Sequence, residues 1–160
     1  MSHDVFYLAV KSTLDAVMNE IKTSFLATYP SLLACDLDDT AETDNVLAGS
    51  APALVWRINS LQEDPIDPLY HWKFLVGVKT TKDSGNYNLS DLMARLAAAM
   101  SAKRDTIIIM DYSGDLVDGL PTEKLGSVRI TSVDTTPQQF DHQSGVRLLS
   151  INAKVIRCVH

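Results

Sequence analysis

Ala53-Leu54-Val55-Trp56-Arg57-Ile58-Asn59-Ser60-Leu61, answered by Tyr70-His71-Trp72-Lys73-Phe74-Leu75-Val76-Gly77-Val78-Lys79-Thr80, is the stretch that decides the fold. Leu54, Trp56 and Ile58 alternate with Val55, Arg57 and Asn59, and Trp72, Phe74, Val76 and Val78 alternate with Lys73, Leu75 and Lys79. A period of two puts every second side chain on one face, so both runs read as strands with one buried face. Between them lies Gln62-Glu63-Asp64-Pro65-Ile66-Asp67-Pro68, whose prolines and acids are turn chemistry. The pair therefore predicts a long β-hairpin with an acidic tip more extended than a simple turn needs.

Upstream the period changes to helical. Tyr7, Val10, Leu14, Val17, Met18, Ile21 and Phe25 form a stripe opposite Lys11, Asp15, Asn19 and Lys22, which predicts a helix over Asp4 to Thr28 stopped by Pro30. From Asp36 to Ser50 the chain turns acidic, with Asp36, Asp38, Asp39, Glu42 and Asp44 and no Lys or Arg, and reads as a loop.

Downstream of the hairpin, a polar loop at Asp83 to Asn86 precedes a second stripe of Leu89, Leu92, Met93, Leu96, Ala97 and Met100. It predicts a helix over Leu89 to Ala102, with Asn88 as its cap and Asp91 near the positive end of its dipole. Thr106 to Tyr112 holds an Ile107-Ile108-Ile109-Met110 run suited to a strand buried on both faces, followed by a Gly and Asp loop from Tyr112 to Pro121. Leu125 to Val133 and Val146 to Val159 complete the strands, joined by a polar connection over Thr135 to Gly145. The expected fold is α+β in the order α-β-β-α-β-β-β, with a mixed, mainly antiparallel sheet, and the whole chain, 1–160, as one domain.

Bulk properties agree with one real core. A chain of 160 residues with 46% hydrophobic and 21% charged content is an ordinary globular composition, and about 70% of the surface exposed by the unfolded chain is buried at this size. A formal charge of −6 argues against a dedicated nucleic-acid binder, which replaces phosphate counterions with a basic footprint. Cys35 and Cys158 are far apart and belong to no CxxC pair, which implies neither a disulfide framework nor a zinc knuckle. No apolar run approaches the roughly 20 residues of a membrane span, and Met1 to Val10 lacks a basic leader, so neither membrane insertion nor secretion is expected.

One motif looks like chemistry. Asp36-Leu37-Asp38-Asp39-Thr40 matches the DxDx[TV] pattern of haloacid-dehalogenase-type phosphatases, in which the first Asp attacks phosphorus and the second acts as acid and base beside Mg²⁺. Gly114-Asp115-Leu116-Val117-Asp118 echoes that family's late acidic motif. Three departures weigh against the match: the late acids are spaced too closely, the first follows a weak strand (Ser31 to Cys35) behind a long helix, and the elements after it do not alternate βαβα. His3, His71, His142 and His160 lack metal-ligand spacing, and neither a nucleophile elbow nor a phosphate loop occurs. No catalytic residue, metal or cofactor is expected.

The long amphipathic first helix, Pro52-Ala53-Leu54-Val55-Trp56-Arg57-Ile58, the acidic hairpin, the returning Tyr70-His71-Trp72-Lys73-Phe74-Leu75-Val76-Gly77-Val78 and the closing Gly145-Val146-Arg147-Leu148-Leu149 together resemble the tail-terminator and tail-completion proteins of long-tailed bacteriophages and prophages. The resemblance covers nearly the whole chain and rests on the order and length of its elements. It implies a non-enzymatic subunit that forms a ring, usually a hexamer, on the end of the tail tube, stops tube growth and offers a surface to the head-tail connector. Its partners would be its own copies, the tail tube protein and the connector protein, with DNA passing unbound. It would assemble in the bacterial cytoplasm and reside in the virion tail. The hairpin residues Trp56, Glu63, Asp64, Pro65, Ile66, Asp67 and Trp72 are the candidates for self-assembly, and Asp36, Asp38, Asp39, Glu42 and Asp44 for an acidic lumen or loop. The alternatives are another phage neck or tail component, or a small Mg²⁺-dependent phosphatase using Asp36 and Asp38.

Overall fold

The computed structural model describes residues 3–39, 45–46, 49, 51–79, 87–114, 116–139 and 146–158. Helix α1 (His3–Phe25) is followed by strands β1 (Leu33–Asp36), β2 (Ala53–Glu63) and β3 (Leu69–Lys79). Helix α2 (Tyr87–Ala102) follows, then β4 (Ile108–Met110), β5 (Leu116–Val117), β6 (Leu120–Pro121), β7 (Lys124–Gln139) and β8 (Val146–Arg157). The expected α+β class and the α-β-β-α-β-β-β succession are present, with β1 added before the hairpin and β5–β6 added after β4.

Six strands form one sheet in the order β1-β2-β3-β8-β7-β4. Only β1 and β2 run parallel; β2–β3, β3–β8, β8–β7 and β7–β4 are antiparallel. Both helices pack on the same sheet face, so α1, α2 and the inward side chains of the strands share one core. Phe6, Leu14, Met18, Leu54, Trp72, Phe74, Leu92, Leu96, Ile109 and Leu149 are fully buried in it. On the opposite face a smaller cluster, Cys35, Leu37, Val46, Ala53, Val55, Val146 and Leu148, covers one end of the sheet.

Several expectations are corrected. Val10, Leu14, Val17, Met18 and Ile21 of the expected α1 stripe are buried, but in the first turn Phe6, at 0% exposed, takes the place of Tyr7, which is 40% exposed; Phe6 stacks on Tyr70, ring centroids 4.9 Å apart. The helix ends at Phe25 rather than Thr28, its last carbonyl groups met by turn bonds from Thr28 and Tyr29 to Phe25 O. α2 starts at Tyr87, which places Asn88 inside the first turn rather than before it. Asp91 is held by side chains: Tyr29 Oη donates to it at 2.5 Å and Arg95 Nε at 2.9 Å.

β4 is not buried on both faces. It is an edge strand with Ile109 inward and Ile108 44% exposed, because only β7 flanks it. The polar connection begins later than expected, since β7 runs on to Gln139 by absorbing irregularities at Ile130/Ser132 and Asp134/Gln138, the second around Pro137. The hairpin also proves to be the middle of the sheet: β8 pairs β3 along its full length, from Leu69↔Ile156 to Lys79↔Val146. Only residues 64–68 project. Gly77 is required where β3 and β8 meet, because a Cβ there would lie 2.2 Å from Arg147 O. The expected loops at Asp83 to Asn86 and, for the most part, Glu42 to Ser50 lie outside the described residues.

Candidate functional site

Three surfaces carry the candidate residues. At the first, Asp36 closes β1, and the turn after it is held by Asp38 N donating to Asp36 Oδ1 at 2.9 Å. Lys11 Nζ of α1 stands 3.7 Å from Asp36 Oδ2, and Arg57 Nε of β2 stands 3.9 Å from Asp38 Oδ1, a loose ion pair beyond hydrogen-bond reach. Lys11, Asp15, Asn19, Ala34, Asp36, Asp39 and Trp56 line a cleft of about 330 Å³. Trp56 Nε1 donates to Asp15 Oδ1 at 2.7 Å on its wall. Half-burial pushes the Asp15 carboxyl above the usual carboxylate range, against the lowering effect of the indole hydrogen bond and with a further rise from Asp36.

Phosphoryl transfer needs more than this. Asp36 does end a strand with a parallel neighbour, as the DxDx[TV] reading requires, but β1 is four residues long and lies at the sheet edge. Among the described residues no group of three or more His, Cys, Asp or Glu is gathered closely enough to hold a metal ion. Asp115, the late-motif candidate, lies outside the described residues, as do Thr40, Glu42 and Asp44.

The second surface is the β2–β3 tip. Asp64 organises it: its Oδ1 accepts from Ile66 N at 2.9 Å and Asp67 N at 2.8 Å, and its Oδ2 meets His71 Nε2 at 2.8 Å. Those bonds, backbone Asp67 first and the His71 side chain next, hold the Asp64 carboxyl down at about 2. The turn presents Ile66, 90% exposed, between Glu63, Pro65 and Asp67, all exposed. Trp56 and Trp72, grouped with the tip by sequence, are 4% and 1% exposed and belong to the chain's own core. Trp72 stacks on Phe74 with ring centroids 4.2 Å apart, and its indole N–H has no hydrogen-bond partner among the described residues.

The third surface escaped the sequence reading. β5 and β6 pair as a separate two-stranded hairpin around Asp118 and Gly119, both at positive φ (55° and 78°), a type I′ turn. Leu116, Val117 and Leu120 are 48%, 60% and 67% exposed on it. The signal was there to find: Asp-Gly between apolar residues is a strong short-range hairpin signature. Beside this hairpin's first strand, Asp111, Tyr112 and Ser113 face Leu8, Ala9 and Ser12 of α1 across a mainly apolar cleft of about 360 Å³.

Lys79 is buried, and its ammonium donates to Gly49 O and, at 2.9 Å, to Ala51 O, fastening that segment to the end of β3; burial lowers its pKa. Neither Cys35 nor Cys158 is in a disulfide. No described helix is long and apolar enough to cross a membrane.

No family model and no curated relative matches the chain. Among solved structures, one aligns with 100% of this chain and 98% of its own at 16% identity and a TM-score of 0.47, a likeness too slight to carry a functional conclusion.

Proposed function

We propose that this chain is a structural subunit that assembles with its own copies into a ring, of the kind that caps a phage tail tube, ends its polymerisation and offers a surface for head-tail joining. The β5–β6 hairpin carries the reading. A two-stranded hairpin is marginal in water by itself, and this one turns Leu116, Val117 and Leu120 to solvent, the arrangement expected of a segment completed by another molecule. The tip with Ile66, at the end of the β2–β3 hairpin of the main sheet, gives a second contact apart from the separate β5–β6 pair. Two unlike surfaces favour a heterologous, head-to-tail contact, which closes into a ring when the rotation per subunit permits. The acidic balance of the chain suits a channel through which DNA slides without sticking.

The test replaces the apolar hairpin surface. Leu116→Ser/Leu120→Ser should fold with a thermal midpoint close to the parent's, since neither side chain is in the core, yet fall from a multi-subunit mass to that of one chain in light scattering. Added to a polymerising tail tube protein from the same genome, the parent should shorten the tubes and the variant should not. An unchanged mass in the variant would remove this hairpin from assembly.

A second reading is favoured by one observation, the DxD turn at the carboxyl end of a strand with a parallel neighbour, facing Lys11 across a polar cleft. It predicts Mg²⁺-dependent hydrolysis of a phosphomonoester that disappears in Asp36→Asn; a parent without such activity removes it.

A further inference from the structure

One part of the sheet face turned away from the helices carries a set of basic side chains. His71 on β3 lies opposite Lys154 on β8, and Lys154 lies opposite Arg129 on β7, so three basic side chains stand in one row across three strands. Lys73 occupies the next row, opposite Asn152, which donates to Ser132 Oγ at 2.9 Å. Their neighbours Tyr70, Trp72, Phe74, Ala153 and Val155 point into the core, which fixes the basic set on the outer face. His71, Lys73, Arg129 and Lys154 are exposed. Arg129 Nε reaches Asp105 at 3.4 Å and His71 reaches Asp64, but Lys73 and Lys154 have no carboxylate partner among the described residues.

Like charges directly opposite on neighbouring strands cost stability. Among the described residues Asp134 lies on this face opposite Ser150, yet no acid occupies the two rows that hold the cations. Ile156, 57% exposed, is embedded beside the cations. The pattern is the counterpart of the hairpin tip, where Ile66 is 90% exposed between Glu63, Asp64 and Asp67.

Resting on the self-assembly reading, we propose that the outer face formed by Lys73, Lys154, Arg129 and Ile156 is the landing surface for the acidic β2–β3 tip of a neighbouring copy, Ile66 seating against Ile156 and the tip carboxylates against the cations. Opposite charge on two different patches of one chain steers copies together and rejects face-to-face approach of like patches. Nucleic acid is the poorer occupant: the imidazole of His71 is already engaged by Asp64 at 2.8 Å, and the net charge is −6.

Charge exchange tests it. Lys73→Glu/Lys154→Glu makes both patches acidic, and Glu63→Lys/Asp67→Lys makes both basic, so each variant alone should run at the mass of a single chain while the parent runs as an assembly. Mixed in equal amounts they should regain the parent's mass, alternating around the ring, and the recovery should weaken as salt is raised. Ile66→Ser, at an almost fully exposed position, gives an independent variant and should lower the assembled fraction even if Glu63→Lys/Asp67→Lys does not fold. If the parent assembles and the charge-reversed variants keep its mass, the landing surface is wrong and the self-assembly reading survives. A parent found only as single chains overturns both. Retention of a single-stranded oligonucleotide by the parent but not by Lys73→Glu/Lys154→Glu, with mass unchanged, would assign the face to nucleic acid and overturn the proposal.

Discussion

Asp64 shows how one side chain fixes the shape of a turn. It accepts from two backbone N–H groups and from His71, so the tip is held in one conformation before any partner arrives, which lowers the ordering cost of a contact. Its carboxyl is depressed to about 2, so the stability it contributes is present above the unfolded value of 3.8 and is lost as pH falls through the folded one. Asp64→Ala should therefore lower the thermal midpoint at pH 6, with the gap to the parent closing between about pH 4 and 2. A gap that stays constant over that range would show that the carboxylate is not what holds the turn.

Asp15 carries the opposite sign. Its folded pKa is raised, chiefly by burial, so the charged form costs stability at neutral pH; the cost is absent below 3.8 and grows as pH rises through the folded value. Asp15→Asn keeps an acceptor for Trp56 and should be neutral or stabilising at pH 7, converging with the parent below pH of about 4. Trp56→Phe, by contrast, removes the donor at 2.7 Å and should cost about 2 kcal/mol in urea unfolding, the value of a hydrogen bond to a partly buried charged group. If Asp15→Asn instead cost as much as Trp56→Phe, the ionised carboxylate would be a net contributor.

At the level of elements, β3 and β8 are the axis on which the sheet is built, and their closeness is set by Gly77. A methyl group there would stand 2.2 Å from Arg147 O and 2.6 Å from Leu148 Cδ2, and since the nearer atom is backbone in a paired strand, relief needs strand separation. Gly77→Ala should cost about 3 kcal/mol, at the upper end of ordinary overpacking; urea unfolding with a loss under about 0.5 kcal/mol would mean the strands part more easily than their register implies.

Legibility from sequence followed burial. β2 and β3 were readable because each buries one face and therefore alternates. The stripe of α1 is readable from Val10 to Ile21, but not which of the two adjacent aromatics begins it, since Phe6 and Tyr7 are told apart by the stacking of Phe6 on Tyr70. β1 was weak in sequence because its pairing with β2 is only four residues long and Leu33 is 41% exposed. β7 was cut short because Pro137 reads as a breaker, yet an irregularity in the ladder absorbs it. Of the candidate residues, Asp64, Pro65, Ile66 and Asp67 lie in the turn that the sequence predicts, while Glu63 closes β2 opposite Tyr70. Trp56 and Trp72 were not separable from them, because an alternating strand does not say whether its apolar face meets a helix or another subunit. The cationic row was invisible for a different reason: it depends on the register of three strands far apart in the chain.

For the whole molecule, one core lies between two helices and a six-stranded sheet. Beyond that core the chain projects the acidic tip and the apolar β5–β6 hairpin and exposes the cationic sheet face. In the proposed assembly Leu116, Val117, Leu120 and Ile66, exposed in the single chain, are the side chains that neighbouring copies cover. Sedimentation velocity of the unmodified chain over a hundredfold concentration range addresses that point most directly. The account predicts a boundary near the mass of six 17.6 kDa chains, growing at the expense of the single chain as concentration rises. A single boundary at the mass of one chain, unchanged across the range, would contradict it.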